Sequence, residues 1–272
     1  VAAETLAQLL LALALDRGHP GNSPYSYEAV DECGRDPQVP ACVLEPACSQ
    51  NVPRCRAPRW SAVRRAWVQM ESRASAEHRF AKVAQALART SERLAACENE
   101  SGGYCRGVGW TGSERQLALA GLTVILHESG LREDVMFGYP PLGRGPRGEA
   151  CLMQVAPDQA ARVAPWLGPE ARDAALTRPK EREALARQLL GDSPEALERC
   201  FEVGLRLLAS ARRSCEHSGA WDIGMFAMYG TGASCRAPGV AERRGKTYQA
   251  LQSARPAPLR DDLRSLLEDG EK

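Results

Sequence analysis

The stretch 117–157 constrains this chain more than any other. Leu117, Gly121, Val124, Ile125 and Glu128 fall at i, i+4, i+7, i+8 and i+11, which is one face of an α-helix. Ser113 and Gln116 have the spacing of a capping box, and Gly130 stands where a C′ glycine would end the helix. The pattern therefore predicts a helix that opens after Ser113 and delivers Glu128 in its last turn. The carboxylate continues the stripe that faces the interior. It lies near the negative end of the helix dipole and beside apolar side chains, and both favour the protonated form. A carboxylic acid that keeps its proton near neutral pH is what general acid catalysis requires. The competing reading is a rim glutamate satisfied by an arginine or by backbone donors. His127, one position off the stripe, reads as a surface or packing histidine.

Ten cysteines are scattered through the chain with no CxxC pair, and there are only four histidines. No zinc spacing appears, and no metal or cofactor is expected. An even, scattered set points to disulfides and an exported protein, secreted or periplasmic. Reduced, buried thiols in a cytosolic protein are the alternative. Sequence alone does not give connectivity, but short loops favour the local pairs Cys97–Cys105 and Cys215–Cys235. The 272 residues allow one large domain or two small ones. The formal charge is +1, and no basic stripe or motif marks a nucleic-acid footprint. No stretch is long enough to span a membrane. Residues 9–15 are apolar but lack the basic flank and cleavage site of a signal peptide. Leu6, Leu9, Leu10 and Leu13 fit an amphipathic helix better, and any signal peptide is expected to be already removed. Oligomeric state is left open.

Along the chain, residues 3–16 read as a helix stopped by Gly18 and Pro20. Residues 20–58 read as a loop stapled by cysteines. Trp60, Val63, Trp67 and Met70 have helical spacing, as do Phe80, Val83, Ala84, Leu87 and Leu94. The glycine- and proline-rich run 138–149 reads as an irregular loop or a short hairpin. Helical stretches follow at 158–166 and 181–190. Ser193-Pro194-Glu195 opens another helix, with Phe201, Leu205 and Leu208 on its apolar face. Ser218 is placed to cap a helix carrying Trp221, Met225, Met228 and Tyr229, which Gly230 and Gly232 end. Residues 255–258 read as a linker and 259–272 as a charged tail with one loosely held helix. No strand pattern stands out, so the expected fold is mainly α.

Three short segments then occur in order on this helical background. They are Glu128-Ser129-Gly130, Cys151-Leu152-Met153-Gln154-Val155 and Ala227-Met228-Tyr229-Gly230-Thr231-Gly232. The ordered set resembles the lysozyme-like superfamily, in particular the soluble lytic transglycosylases and goose-type lysozymes. Those families carry E-S, then G-L-M-Q-[IV], then A-Y-N-x-G. The resemblance covers roughly residues 105–249. It implies a lysozyme-like catalytic domain over 105–254, preceded by a helical, disulfide-stapled extension over 1–104 and followed by a tail over 255–272. It implies peptidoglycan glycan strands as the partner and the β-1,4 bond between N-acetylmuramic acid and N-acetylglucosamine as the bond cut. Glu128 matches the family's catalytic acid. Ser129 matches a serine that supports the glutamate or the sugar, and Met153 and Gln154 match residues lining the cleft. Tyr229 matches the cleft tyrosine of the third motif, and Tyr248 a later tyrosine. The chain departs from the pattern twice. Cys151 replaces the glycine before Leu-Met-Gln, and Gly230 replaces the asparagine after Tyr229.

Cleaving a glycosidic bond requires a proton on the leaving oxygen and stabilisation of an oxocarbenium-like state. Glu128 can supply the proton. Glu133, Asp134, Glu149 and Asp222 are the candidates for a second carboxylate, and no motif fixes one; a solvated charge or a helix cap is the alternative for each. The readings that follow are a lytic transglycosylase giving 1,6-anhydro products, a hydrolysing lysozyme on the same scaffold, and a non-catalytic wall-binding module that keeps the fold.

Overall fold

Nine consecutive residues of the helix that carries Glu128, from Leu117 to Ile125, are buried, so this helix is the axis of the molecule. The computed structural model describes residues 5–18, 25–26, 59–61, 66–68, 73–99, 103–139, 143–216, 221–232, 234–236 and 239–268. They are mainly helical. The elements are α1 (Leu6–Gly18), β1 (Tyr25–Ser26), β2 (Arg59–Ser61), β3 (Ala66–Val68), α2 (Arg73–Ala95), α3 (Glu114–Glu128), α4 (Glu133–Phe137), α5 (Pro157–Val163), α6 (Pro169–Thr177), α7 (Pro179–Gln188), α8 (Pro194–Cys215), α9 (Trp221–Thr231), α10 (Val240–Ser253) and α11 (Asp261–Glu268).

The capping box is formed as the spacing predicts. Ser113 Oγ accepts from Gln116 N–H at 3.2 Å, and the Gln116 side chain accepts from Ser113 N–H at 3.0 Å. At the other end Gly130 adopts φ +58°, and its N–H donates to Ile125 O at 3.0 Å. The burial is broader than a single stripe because α1, α2, α8 and α10 all pack against α3. A helix surrounded in this way needs apolar residues on every side. Gly121 permits the closest approach. A methyl group there would come within 2.8 Å of Leu205 on α8 and 3.1 Å of Leu87 on α2. α1 and α2 thus share one core with α3 and α8.

The second long helix, α8, opens at Ser193, whose hydroxyl accepts from Ala196 N–H at 3.2 Å, with Pro194 in the first turn. α9 packs on α8 and α10, and α5 packs on α8 with α6 and α7 beyond it. α11 docks on α2 with Leu263 and Leu267 buried, so this part of the tail is packed rather than loosely held. Arg260 fastens its start to Glu77 at 3.0 Å.

The helix expected from Trp60, Val63, Trp67 and Met70 is not formed. Residues 59–61 and 66–68 are antiparallel strands with Trp60 opposite Trp67, and β1 joins β3 in parallel. Aromatic and β-branched residues favour a pleated strand, and two tryptophans seven apart fit a cross-strand pair as well as one helix face. Of the expected loop 20–58, only β1 lies among the described residues, so its four cysteines fall outside them. So does Ser218, the expected cap of α9.

The six described cysteines form three disulfides: Cys97–Cys105, Cys151–Cys200 and Cys215–Cys235. Both expected local pairs are present. Such bonds are compatible with an oxidising compartment. No helix among the described residues is long and apolar enough to cross a membrane.

Candidate active site

Four elements meet where α3 ends. The first is the end itself. Ser129 Oγ donates to Ile125 O at 2.8 Å and accepts from Leu131 N–H at 3.3 Å. Leu131 follows Gly130 in the left-handed region, at φ +58°. The hydroxyl therefore shapes the turn that presents Glu128. With Ser129 only 3% exposed, its reach is toward this turn and not toward a sugar in the cleft.

The second element is the turn 150–155. Ala150 and Val155 exchange two backbone hydrogen bonds at 3.0 Å, and Gln154 N–H closes the loop on Cys151 O at 2.9 Å. Cys151 and Gln154 both take positive φ, +61° and +49°. Position 151 is where the resembled families have glycine, and it keeps a glycine's backbone conformation here. The Cys151–Cys200 disulfide ties the turn to α8. Met153 is fully buried and seats against Gly204 of α8, where a methyl group would come within 2.2 Å of its sulfur. The expectation that the Met153 side chain lines the cleft is thus corrected: it is core, and its backbone carbonyl faces the site. Gln154 is half-buried, with its amide on Cys151 O at 3.0 Å.

The third element is α9. The Tyr229 hydroxyl donates to Met153 O at 2.9 Å, which joins α9 to the turn. Burial, and then the charge of Glu128, push the Tyr229 phenol far above its ordinary pKa, so it stays protonated. Tyr229 also lines a hollow of about 240 Å³ with Leu207, Ala211, Ser210, Ser214 and Gln159.

The fourth element is α10, which supplies a residue that sequence reasoning missed. Arg244 is buried and its guanidinium pairs with Glu128 Oε1. Gly230 makes room for it, because a methyl group at Gly230 would lie 3.0 Å from Arg244 Nη1. The place of the absent asparagine is thus taken up against an arginine. Tyr248, on the same helix, is not brought to the site. It is buried edge-on against Phe226, and its hydroxyl donates to Gln116 O at 3.4 Å, about 18 Å along α3 from Glu128.

The Glu128 side chain is 23% exposed, enough for a substrate to reach it. Burial raises its pKa above the ordinary carboxylate value and outweighs the opposing pull of Arg244; the charge of Glu149 raises it further. Glu149 goes the other way. Burial pushes it up, but hydrogen bonds from its own backbone and from Arg147 outweigh this and hold it below the usual range. Arg147 Nε and Arg147 N–H each bind one of its oxygens at 2.8 Å. Two interacting carboxyls with pKa values displaced in opposite directions are the arrangement that separates an acid from a base.

The other candidate carboxylates lie in α4 and α9. Asp134 is fully buried against Arg132 at the start of α4, with Oδ1 2.9 Å from Arg132 Nε, and Glu133 is buried beside it. Asp222 lies in the first turn of α9, and its side chain is outside the described residues. His127 is at the surface, 2.8 Å from Thr247 Oγ1. No group of ligating side chains suited to a metal ion occurs among the described residues. No family model, curated protein or solved structure matches this chain.

Proposed function

We propose that this chain is an exported peptidoglycan-cleaving glycosidase of the lytic-transglycosylase type, secreted or periplasmic, with Glu128 as its acid. The observation that carries the reading is a half-buried glutamate at a helix end whose pKa is raised and which substrate can still reach. Glu128 protonates the oxygen leaving the muramic acid C1 of the β-1,4 bond. Burial holds the proton on beforehand, and the Arg244 guanidinium stabilises the carboxylate once the proton has left. Glu128 then takes the proton of the muramic acid 6-hydroxyl, O6 bonds to C1, and a 1,6-anhydro ring closes. The nucleophile is tethered to the reacting sugar, so no carboxylate has to position water.

A second reading is a hydrolysing lysozyme, and Glu149 favours it. The Glu149 charge is felt at Glu128, and Glu149 itself is held below the usual carboxylate range, as a base requires. Mass spectrometry of fragments released from purified walls separates the two. Anhydro ends weigh one water less and resist borohydride. Fragments that all gain water and reduce would establish the lysozyme reading. No release at all, with binding retained, would leave a wall-binding module.

A further inference from the structure

Ser210 lines two hollows. On the side away from Tyr229 it borders a larger cleft of about 790 Å³, between α8, the segment 103–107 and the α5–α6 connection. Five arginines line this cleft, and Glu202 is the one carboxylate among its lining residues. Glu202 is already taken. Arg206 binds one of its oxygens through Nε at 3.1 Å and Nη2 at 2.9 Å, in a pair that is almost wholly buried. The remaining four are Arg106, Arg162, Arg172 and Arg213. None of them enters an ion pair among the described residues.

Two of the four are aimed by backbone carbonyls. Arg213 Nη2 donates to Gly107 O at 2.6 Å, and Arg172 Nη2 to Ala164 O and Leu167 O at 3.3 Å. Two donors on the wall are buried and have no acceptor: Arg172 Nε and the Trp166 indole N–H. A buried donor without an acceptor is costly, and guanidinium groups gathered without counter-charge repel one another. An oxyanion in the cleft relieves the repulsion, and the guanidinium fork matches the oxygens of a carboxylate or phosphate.

We propose that this cleft is an oxyanion-binding site and that it continues the groove from Tyr229 past Ser210. The oxyanion is a carboxylate or phosphate borne by the polymer lying in the groove. The polymer's being a wall glycan rests on the function proposed above; the anion site itself does not.

The test uses the full chain with 15N-labelled indoles. The Trp166 N–H resonance is assigned by comparison with Trp166→Phe. Inorganic phosphate and acetate are titrated in, against chloride at equal ionic strength. A saturable shift of Trp166 with phosphate or acetate, absent with chloride, is expected. Arg106 and Arg162 are exposed, so Arg106→Gln/Arg162→Gln should fold with its other indole resonances unmoved and should bind roughly tenfold more weakly. Arg172→Gln gives a second variant. No saturable shift, or the same affinity in both variants, overturns the site.

Co-sedimentation with walls then identifies the source. The Arg106→Gln/Arg162→Gln variant losing affinity for stem-bearing glycan, but not for amidase-stripped glycan, points to peptide carboxylates. Losing it only for walls that retain phosphodiester polymer points to phosphate. Unchanged binding to every preparation overturns the polymer assignment. If Trp166 responds but no wall is bound or cut, the function proposed above fails and the anion site stands. If walls are cut while Trp166 is silent, the reverse holds.

Discussion

The turn 150–155 and the end of α9 each carry one departure from the motifs of the families this chain resembles, and the two are handled differently. At position 151 a glycine's backbone conformation is kept without glycine. A non-glycine residue there costs about 1–2 kcal/mol. The Cys151–Cys200 bond closes a separation of 49 residues, which stabilises by about 4 kcal/mol in the chain-entropy account. At position 230 a side chain is absent, and Arg244 reaches Glu128 beside the opening. The first change holds the shape of the site. The second changes its charge. The shape depends on a covalent bond to α8, and the charge on one residue of α10.

The largest expected effect tests what both regions serve. Glu128→Gln keeps size and polarity but cannot act as the acid. Wall-cutting activity should fall by roughly a hundredfold to ten-thousandfold, with little change in melting temperature. A well-folded variant of unchanged activity would remove Glu128 from the chemistry.

The next effect isolates the covalent half of the comparison. Cys151→Ala/Cys200→Ala should lose about 2–4 kcal/mol of stability in denaturant titration. Cys151→Gly/Cys200→Ala should recover about 1 kcal/mol of that, because glycine takes positive φ without penalty. Equal losses in the two would mean that the backbone conformation at 151 carries no strain.

The electrostatic half is read from pH profiles. The proposed reaction needs protonated Glu128, so activity should fall as pH rises through the Glu128 pKa. Arg244 lowers that pKa against the effect of burial. Arg244→Gln removes the lowering, the pKa rises, and the alkaline limb should move to higher pH. A limb that stays in place would separate Arg244 from the acid. Gly230→Ala should move the limb in the same direction but less, since the guanidinium has only to yield a few tenths of an ångström to the added methyl group. A shift as large as that of Arg244→Gln would show that the two cannot share the space.

Much of the Glu128 helix was legible in the sequence because its signals are local. The capping box at Ser113 and Gln116, the stripe from Leu117 and the glycine at 130 all lie within one helix length. The disulfides Cys97–Cys105 and Cys215–Cys235 close short loops and were legible for the same reason. Tryptophan spacing misled at 60 and 67, where one interval fits both a helix face and a strand pair. Met153 and Tyr248 were found by motif, but motif does not say which atoms face the cleft; both side chains are core. Arg244 was missed because its partner is 116 residues away. Its signal was nevertheless of the same kind as that of Glu128. It is a charge standing on the buried stripe of Ala241, Gly245, Tyr248 and Leu251, and such a charge needs a partner in the interior.

α8 joins these regions mechanically. Cys200 and Cys215 lie about 22 Å apart along its axis, and each is bonded to a different part of the chain, at Cys151 and Cys235. Between them lie Gly204 under Met153, Leu207 and Ala211 under the hollow at Tyr229, and Arg206 and Arg213 in the arginine cleft. A beam held at both supports neither slides nor telescopes. The turn on one face of α8 and the arginines on the opposite face are then held at a fixed spacing, and a polymer lying as proposed above would be measured against it as against a ruler.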